Sequence, residues 1–408
     1  MNSMKKLSVI GMGYIGLPTA LMFASQGVEV IGTDYNAERI GILQSQTLPF
    51  DEEGMQELFH EAVSKGIRFT TEYCPADIYI IAVPTPYNKD TKRIDASLVI
   101  SAFRSVIAVC PDDAILVIES TISPGTIDKY VRPVVSEYPE KHVHLAHAPE
   151  RIIPGNMIYE LWHNARTIGA DEDWVAETLR DLYSNICRSE ITLTDIRTAE
   201  MTKVVENTYR DINIAFANEL TKICHAEGMN VHEIIRIANK HPRVSILSPG
   251  PGVGGHCISV DPWFLVGDYP MHTNLIKQAR LINDSMPDYV LHRIREIMKL
   301  ENINDLSRVG LYGLTYKENV ADTRESPTLQ LLESLEYHLG AALKVYDPLV
   351  NITMVSEQYF DLQSFLDSVD MVVVMVGHEE ILQNKELLKG KVVFDTRHIL
   401  SGDGIYYL

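Results

Sequence analysis

The residues best suited to chemistry in this chain surround a cysteine. Cys257 closely follows Gly254, and a glycine pair leaves room for a ligand to approach the thiol. Asp261 lies four residues further on, where one turn of helix would bring its carboxylate back beside the sulfur. A thiolate can attack an aldehyde, and the resulting thiohemiacetal can be oxidised to a thioester if a redox cofactor is bound. The run therefore predicts an aldehyde-oxidising centre.

A dinucleotide fingerprint near the start of the chain would supply that cofactor. It consists of Gly11, Gly13, Tyr14, Ile15 and Gly16. Such a turn lets the backbone approach a pyrophosphate and aims a helix N-terminus at it. Asp34 ends the next predicted strand, where a carboxylate accepts hydrogen bonds from the ribose 2′-hydroxyl and disfavours a 2′-phosphate. NAD is the predicted cofactor, although Arg39 is close enough to leave NADP open.

Polar residues also follow three later predicted strands. Thr85 and Thr121 come after the strands at 78–83 and 115–118. Glu150 and Arg151 come after the strand at 144–146. Ligands of open α/β sheets lie outside such strand ends, so both threonines could contact the cofactor and Thr121 could hold a water. Ordinary loop threonines explain the same positions nearly as well.

A polar stripe marks one face of a long helix predicted from Arg197 to about Glu227. Lys203, Asn207, Arg210 and Asn218 share this face at 3.6 residues per turn. A solvated surface is the usual explanation of such a stripe, but the flanking faces are too apolar for a helix surrounded by water. We therefore interpret the stripe as part of a site.

Cationic residues in loop-like segments would suit a diphosphate, because arginine and lysine bind phosphate oxygens. These residues are His241, Arg243, Lys317 and Arg324. Taken singly, each is more simply explained by a surface ion pair. His142, His144 and His147 are interpreted as structural, because strand alternation sends neighbouring side chains to opposite faces, and no metal is predicted.

The composition excludes several classes of protein. A net charge of −19 and a pI near 5.2 argue against nucleic-acid binding. No run approaches the roughly 18 apolar residues of a membrane helix. Five cysteines without a CxxC pair indicate a reducing compartment. The chain starts with a short polar segment that leads straight into a strand and the glycine turn, so no leader and a cytoplasmic location are expected.

The 408 residues predict two or three domains with an α/β, then helical, then α/β layout. In the first α/β part, strands are predicted at 7–10, 29–33, 78–83, 115–118 and 144–146. Helical patterns follow at 231–239 and from 274 to about 300. In the last part, strands are predicted at 309–314, 343–346, 371–376 and 392–395. The two α/β parts could share a topology.

Together these motifs resemble the UDP-glucose/GDP-mannose dehydrogenase family over almost the whole chain, in family order. The matching groups are the glycine turn, residues 119–121, Pro149 with Glu150, Lys203 with Asn207, residues 254–257 with Asp261, Tyr316 with Lys317, and residues 322–326. One departure is informative. The family's second glutamate after Glu150 is replaced by Pro154, which counts against UDP-glucose as the substrate.

The resemblance implies an N-terminal NAD-binding Rossmann domain (1–192), a central helical dimerisation domain with a long helix (193–300) and a C-terminal UDP-binding Rossmann-like domain (301–408). The implied catalytic residues are Cys257, Lys203, Asp261, Asn207, Glu150 and Thr121. The implied substrate contacts are Arg151, Ile152, Lys203, Asn207, Arg210, His241, Arg243, Gly254, Tyr316 and Lys317, with Arg243 reaching a neighbouring subunit. Arg324 would contact the cofactor.

The implied reaction is a four-electron oxidation of UDP-N-acetyl-D-mannosamine at C6, carried out by a homodimer or higher homo-oligomer for a surface polysaccharide. UDP-N-acetyl-D-glucosamine is the nearest alternative substrate, since it differs only at C2. Two other classes stay open. A β-hydroxyacid-type dehydrogenase performs one oxidation and needs no Cys257. A non-catalytic sensor has no need for Lys203, Cys257 and Asp261 together.

Overall fold

Two doubly wound sheets, one in each half of the chain, form the framework of the described structure. The computed structural model describes residues 6–50, 52–339, 342–402 and 404–408. It divides into two units, Met1–Glu206 and Asn207–Leu408. The first five residues, on which the expectation of no leader partly rests, lie outside the described part. The domain limits at 192 and 300 stay predictions.

The sheet of the first unit has the strand order β3-β2-β1-β4-β5-β6-β7-β8 in the described residues, and only the β6–β7 pair is antiparallel. Its strands are β1 (Leu7–Ile10), β2 (Val30–Thr33), β3 (Arg68–Thr70), β4 (Ile78–Ile81), β5 (Ala114–Ile118), β6 (Val143–His147), β7 (Arg166–Ala170) and β8 (Ile191–Thr194). The order of the first six is that of dinucleotide-binding folds. The five predicted strands are confirmed. Sequence analysis did not predict β3, β7 and β8, which are short or interrupted by polar residues and glycine.

Helices cover the faces of this sheet, as a parallel sheet requires. They are α1 (Gly16–Ser25), α2 (Ala37–Gln44), α3 (Met55–Ser64), α4 (Ser97–Val109), α5 (Arg132–Ser136), α6 (Met157–His163) and α7 (Asp173–Tyr183). Every residue of α1 is buried. Because α1 starts directly after the glycine turn, this burial holds the turn rigidly at the sheet edge.

The long helix α8 (Ile196–Ala226) confirms the prediction of a long helix and runs through the boundary between the two units. It has no internal glycine or proline, and 31 residues span about 47 Å. Asp195 caps its start by accepting a hydrogen bond from Thr198 N at 2.9 Å. Gly228, with φ +67°, ends it. In the described part of the chain, no helix has both the length and the apolar character to cross a bilayer.

The other helices of the second unit are α9 (Val231–Ala238), α10 (Asp261–Asp268), α11 (Asn274–Asp284), α12 (Met286–Leu300), α13 (Pro327–Leu339), α14 (Leu362–Ser368) and α15 (Glu379–Gln383). The helical pattern predicted from 274 to 300 is divided into α11 and α12. The break falls at Ser285, because Pro287 has no N–H to continue a helix.

The sheet of the second unit has the order β11-β10-β9-β12-β13-β14, the same topology as the first six strands of the first unit. Its strands are β9 (Val309–Tyr312), β10 (Lys344–Tyr346), β11 (Gln358–Tyr359), β12 (Met371–Val374), β13 (Val392–Asp395) and β14 (Ile405–Tyr407). Leu314 N donates to Asp347 Oδ2 at 2.6 Å, as Met12 N donates to Asp34 Oδ2 at 2.8 Å. The suggestion that the two α/β parts share a topology is confirmed.

Candidate active site

The glycine turn of the first unit has the backbone that a pyrophosphate requires. Gly11 has φ +97°, and a Cβ there would lie 2.6 Å from the carbonyl oxygen of Ala82. A Cβ at Gly16 would lie 1.9 Å from the carbonyl oxygen of Gly11. Both positions therefore need glycine. A Cβ at Gly13 would meet no atom within 4 Å, which leaves open space for a phosphate to approach the backbone.

Asp34 lies directly after β2, where a carboxylate binds the ribose of a dinucleotide. Its carboxylate is buried and accepts hydrogen bonds from Met12 N at 2.8 Å and Asn36 N at 2.9 Å. Arg39 Nη1 lies 3.2 Å from Asp34 Oδ2, so this guanidinium is paired with the carboxylate. The pairing fits a ribose 2′-hydroxyl better than a 2′-phosphate, since the arginine charge is already balanced.

The predicted cofactor contacts that follow β4 and β5 lie together. Thr85 Oγ1 donates to the carbonyl oxygen of Thr121 at 2.7 Å, which joins the two loops at the carboxyl ends of paired strands. Ser120 Oγ donates to the carbonyl oxygen of Val83 at 2.6 Å and strengthens this join. Tyr14 and Ile15 are partly exposed just before α1. Their roles, and those of the threonines, stay predictions.

A buried arginine lies between two carboxylates beneath this edge. Arg166 on β7 is paired with Glu150, and its Nη1 is 3.4 Å from Glu119 Oε1. The guanidinium also lies 4.5 Å from the ring centre of Tyr183. Burial raises the pKa of Glu119 to about 7, against the lowering effect of the Arg166 charge and with the Glu150 charge acting in the same direction as burial. Glu150 Oε1 also accepts from Arg151 N at 2.7 Å, so its carboxylate is held from both sides.

The Arg151 side chain is engaged within the first unit. Its Nε donates to Glu206 Oε2 at 2.9 Å, and its Nη2 donates to Thr167 Oγ1 at 3.1 Å. A substrate would have to compete with these partners for the guanidinium. The side chain of Ile152 is buried in the core of the first unit, so only its backbone is available for a substrate contact.

The polar stripe on α8 is largely buried. Lys203, Asn207 and Asn218 are all less than 8% exposed, whereas Arg210 is exposed. Within the described residues, the Lys203 ammonium has no hydrogen-bond or ion-pair partner. Lysine is almost never buried in this way unless it is paired. Three of the four side chains of the stripe are therefore held in fixed positions by burial, and only Arg210 faces solvent.

Helix α8 also holds both ends of the cysteine loop. Asn218 Oδ1 accepts from Gly250 N at 3.0 Å at the start of the loop. At its end, Asn207 Nδ2 donates to Asp261 Oδ2 at 2.6 Å. The helix expected after the thiol begins only at Asp261, but Asp261 N already donates to the carbonyl oxygen of Cys257 at 2.9 Å. The predicted single turn between thiol and carboxylate is thus present.

The thiol itself is accessible. Cys257 is exposed, whereas three of the other cysteines are buried. Gly255 has φ +82°, and a Cβ there would lie 2.8 Å from the ring of Tyr316, so the loop packs directly on that side chain. A Cβ at Gly254 would lie 2.6 Å from Tyr316 Cβ. Burial lowers the pKa of the adjacent His256, with the positive charge of Arg324 acting in the same direction.

Arg324 lies beside this loop in the second unit, and Lys317 follows Tyr316, which packs against it. The carbonyl oxygen of Arg324 accepts from Gly255 N at 2.9 Å. Its guanidinium binds the buried Asp322 through Nη2 at 2.6 Å, which fixes its direction. Lys317 is partly buried, and its carbonyl oxygen accepts from Thr315 Oγ1 at 3.0 Å.

The structure does not bring every predicted residue to these positions. His241 and Arg243 lie in an exposed turn after α9. Arg210 is exposed on α8. Sequence reasoning missed Arg166, because β7, which begins at this residue, was not predicted.

Comparison with known proteins agrees with the fold. The family models of the UDP-glucose/GDP-mannose dehydrogenase family match three segments: the NAD binding domain at 5–187, the central domain at 197–285 and the UDP binding domain at 310–402. The chain therefore belongs to this family. It is an NAD-dependent oxidoreductase that acts on a UDP-sugar, and the predicted family, fold class and cofactor are confirmed.

Relatives within the family are similar over their full length. UDP-N-acetyl-D-mannosamine dehydrogenase from Methanococcus vannielii is 42% identical, with 98% of this chain and 94% of the relative covered. NDP-N-acetyl-D-galactosaminuronic acid dehydrogenase from Ralstonia nicotianae is 39% identical, with 98% and 97% covered. Among solved structures, UDP-N-acetyl-mannosamine dehydrogenase from Staphylococcus aureus has a TM-score of 0.87 at 39% identity, with 98% and 97% covered.

Proposed function

We propose that this enzyme oxidises UDP-N-acetyl-D-mannosamine at C6 to UDP-N-acetyl-D-mannosaminuronate, with a covalent step at Cys257. The observation that carries the proposal is an exposed thiol on a loop whose two ends are held by buried amides of α8. Relatives named for this substrate at about 40% identity support the choice of sugar. NAD, when bound, accepts one hydride in each of two oxidations.

Lys203 is the proposed base of the first oxidation. The C6 hydroxyl loses its proton to a neutral Lys203 as the carbon becomes an aldehyde. In its protonated form the same group stabilises the oxyanion. Its burial on α8 removes competing water from the ammonium, and Asn207 lies one turn further along the same helix. The position supports either role.

Cys257 is the proposed nucleophile of the second stage. The thiolate adds to the aldehyde carbon and forms a thiohemiacetal, whose oxidation leaves a thioester. Water then attacks the thioester carbonyl, which releases the carboxylate and returns the thiol. Two hydrides and one water per sugar balance the conversion of an alcohol to an acid.

Asp261 is the proposed residue that holds the hydrolytic water, and Thr121 and Glu150 are the alternatives. Asp261 is one turn from the thiol, although its Oδ2 is already bound by Asn207. The Glu150 carboxylate is held by Arg166 and by the Arg151 backbone, so it has less freedom to activate water. We propose that Glu150 holds the Arg166 guanidinium in place and that Asp261 positions the water.

Lys317, Tyr316 and the backbone around Gly254 are the proposed contacts for the UDP-sugar, together with Arg151, Ile152, Arg210 and His241. Arg210, His241 and Gly254 lie in the segment that matches the central domain, and Tyr316 and Lys317 lie in the one that matches the UDP binding domain, which supports their assignment. Arg151 and Ile152 lie in the segment that matches the NAD binding domain. Arg324 is proposed to contact the cofactor. Arg243 is proposed to act on a neighbouring subunit, which is consistent with its exposed turn.

We also propose a homodimer that works in the cytoplasm and supplies a surface polysaccharide. Three large apolar side chains on α8, Tyr209, Phe216 and Ile223, recur every seven residues and are about half exposed or more. Such a row on one helix favours contact with a second copy. A reducing compartment would keep the Cys257 thiol available.

NADH released per sugar consumed tests the proposal. The purified chain would be given NAD with UDP-N-acetyl-D-mannosamine, with its C2 epimer UDP-N-acetyl-D-glucosamine, with UDP-N-acetyl-D-galactosamine, which differs at both C2 and C4, or with UDP-glucose. Two NADH per UDP-N-acetyl-D-mannosamine are expected, with little from the others. Cys257→Ser should form no uronate and release at most one NADH, whereas the control Cys74→Ser should behave like the parent.

Other results would replace parts of this assignment. Two NADH from UDP-N-acetyl-D-glucosamine would keep the mechanism and change the sugar. One NADH per sugar, unaffected by Cys257→Ser, would indicate a single-oxidation dehydrogenase. Binding without any NADH would indicate a sensor.

A further inference from the structure

Two histidines and an aspartate lie together at the amino-terminal edge of the first sheet. Asp113 precedes β5 and His142 precedes β6, and these parallel strands pair with Ala114 opposite Val143. His144 is two residues after His142 and therefore points to the same side of the sheet. The glycine turn and the loops after β4 and β5 lie at the opposite, carboxyl edge. The cluster is therefore separate from the cofactor site.

The three side chains have the spacing of metal ligands. One ligand atom from each lies within 4.8 Å of the other two. Asp113 Oδ1 is 2.8 Å from His142 Nδ1 and 3.8 Å from His144 Nε2. Ligand atoms of a tetrahedral zinc site, with bonds of about 2.0–2.2 Å, lie about 3.3–3.5 Å apart. Both exposed members, Asp113 and His142, can adjust by small rotations.

The more buried ligand is already oriented by a second carboxylate. His144 Nδ1 lies 3.1 Å from Glu172 Oε1, at the start of α7. A proton on Nδ1 leaves the Nε2 lone pair directed at Asp113. Metal-binding histidines are typically held in this way by a carboxylate on the other ring nitrogen. Because the His144 side chain is only 8% exposed, its neighbours restrict rotation of the ring.

The backbone also holds the ligands in place. Asp113 N donates to the carbonyl oxygen of His142 at 2.8 Å, so two ligands are joined before any metal binds. Asp113 has φ +62°, a left-handed conformation that aspartate and asparagine tolerate. The ring of Trp174 packs edge-on against His144, with 4.6 Å between ring centres.

We propose that Asp113, His142 and His144 bind one zinc ion, with Glu172 orienting His144 and water completing the coordination. Two imidazoles and one carboxylate suit zinc better than calcium or magnesium. The ion would join the starts of β5 and β6 and stabilise this edge. The sequence analysis predicted no metal from strand alternation, but alternation does not separate His142 from His144, because residues two apart on a strand share a face. His147 is buried elsewhere, where its Nδ1 donates to the Ile118 carbonyl oxygen at 2.8 Å.

Zinc titration of the full-length, chelator-treated chain against a chromophoric chelator tests the proposal. The parent should bind one equivalent that Asp113→Asn and His142→Ala weaken at least tenfold. Asparagine tolerates the left-handed backbone of position 113, and His142 is 73% exposed on its side chain, so both variants should fold. His60→Ala, a change at another exposed histidine, is the matched control and should bind as the parent does.

Trp174 gives an independent readout. Copper(II), which imidazole also binds, should quench its fluorescence in the parent, and Asp113→Asn should remove most of that quenching. NADH production by Asp113→Asn should equal that of the parent, since the cluster is away from the cofactor edge. The proposal is overturned if both ligand variants bind zinc as tightly as the parent, or if His60→Ala loses as much binding as they do.

Discussion

The loop that carries Cys257 contains two glycines, Gly254 and Gly255, that pack directly on Tyr316, so a Cβ at either position would collide with that side chain. We predict that Gly255→Ala lowers turnover at least tenfold, because its Cβ would lie 2.8 Å from the Tyr316 ring and displace the loop. The left-handed backbone alone should cost about 1 kcal/mol of unfolding free energy. Steady-state kinetics and thermal unfolding would measure the two effects.

Gly66→Ala is the matched control for that change. Gly66 has φ +92°, similar to that of Gly255, but a Cβ there would meet no atom within 4 Å. It should lose similar stability and keep its turnover. Equal losses of turnover in both variants would show that backbone strain, not loop displacement, is responsible.

Glu119 should make stability depend on pH near neutrality. Burial raises its pKa from 4.5 to about 7 in the folded chain. Because the folded chain holds this proton more tightly than the unfolded chain, the proton contributes to the free energy of unfolding. That contribution is fully present below pH 4.5 and is lost as the pH rises through 7. The loss should be on the order of 3 kcal/mol. Glu119→Gln should remove it, so the parent should lose stability relative to this variant between pH 5 and 8.

Denaturant unfolding at several pH values would measure this difference. Glu137→Gln is the control, since the exposed Glu137 pairs with Arg104 and its pKa is lowered, so it titrates below this range. Its difference from the parent should be constant between pH 5 and 8. A constant difference for Glu119→Gln as well would contradict the assigned titration.

At the scale of elements, α8 presents different side chains on two faces. One face presents Asn207 and Asn218 to the cysteine loop. Another leaves Tyr209, Phe216 and Ile223 exposed. The length of this helix was predictable, because a run without glycine or proline is a local property. The partners of its polar face were not, since Gly250 lies 32 residues from Asn218.

Phe216→Asp should weaken the proposed dimer at least about a hundredfold. In a two-fold interface each substitution occurs twice, so two buried charges would oppose association. Analytical ultracentrifugation over a range of concentrations would give the dissociation constants. Tyr337→Asp, an equally drastic change at an exposed aromatic residue on α13, should leave association unchanged. A dimer that survives Phe216→Asp would place the interface elsewhere.

At the scale of the whole molecule, the same topology occurs twice, but the two equivalent acids have different surroundings. Asp347 accepts from Leu314 N at 2.6 Å and Thr315 N at 3.0 Å, and lies 3.2 Å from His378 Nε2. Burial would raise the Asp347 pKa, but these partners bring it below its ordinary value. Asp34 instead accepts from Met12 N and Asn36 N and pairs with Arg39.

Asp34→Asn should therefore raise the KM for NAD at least tenfold and leave the KM for the UDP-sugar nearly unchanged. A neutral amide is a weaker acceptor for the ribose hydroxyls than a carboxylate. Asp347→Asn should lower thermal stability and leave the KM for NAD unchanged. Initial rates with each substrate varied in turn would separate the two. A raised KM for NAD in Asp347→Asn would show that the second sheet contributes to cofactor binding.

The sequence by itself determined the features that neighbouring residues encode: the glycine turn with Asp34 after the next strand, the buried strands, the long helix, and Asp261 one turn from Cys257. The tertiary structure alone decided which distant residues meet. Arg166 lies between Glu119 and Glu150, which are 47 and 16 residues away, and Asp113 lies beside His142, 29 residues away. Such pairs depend on strand order and register. Local periodicity reports whether a strand forms and which face it buries, but it does not report which strand becomes its neighbour.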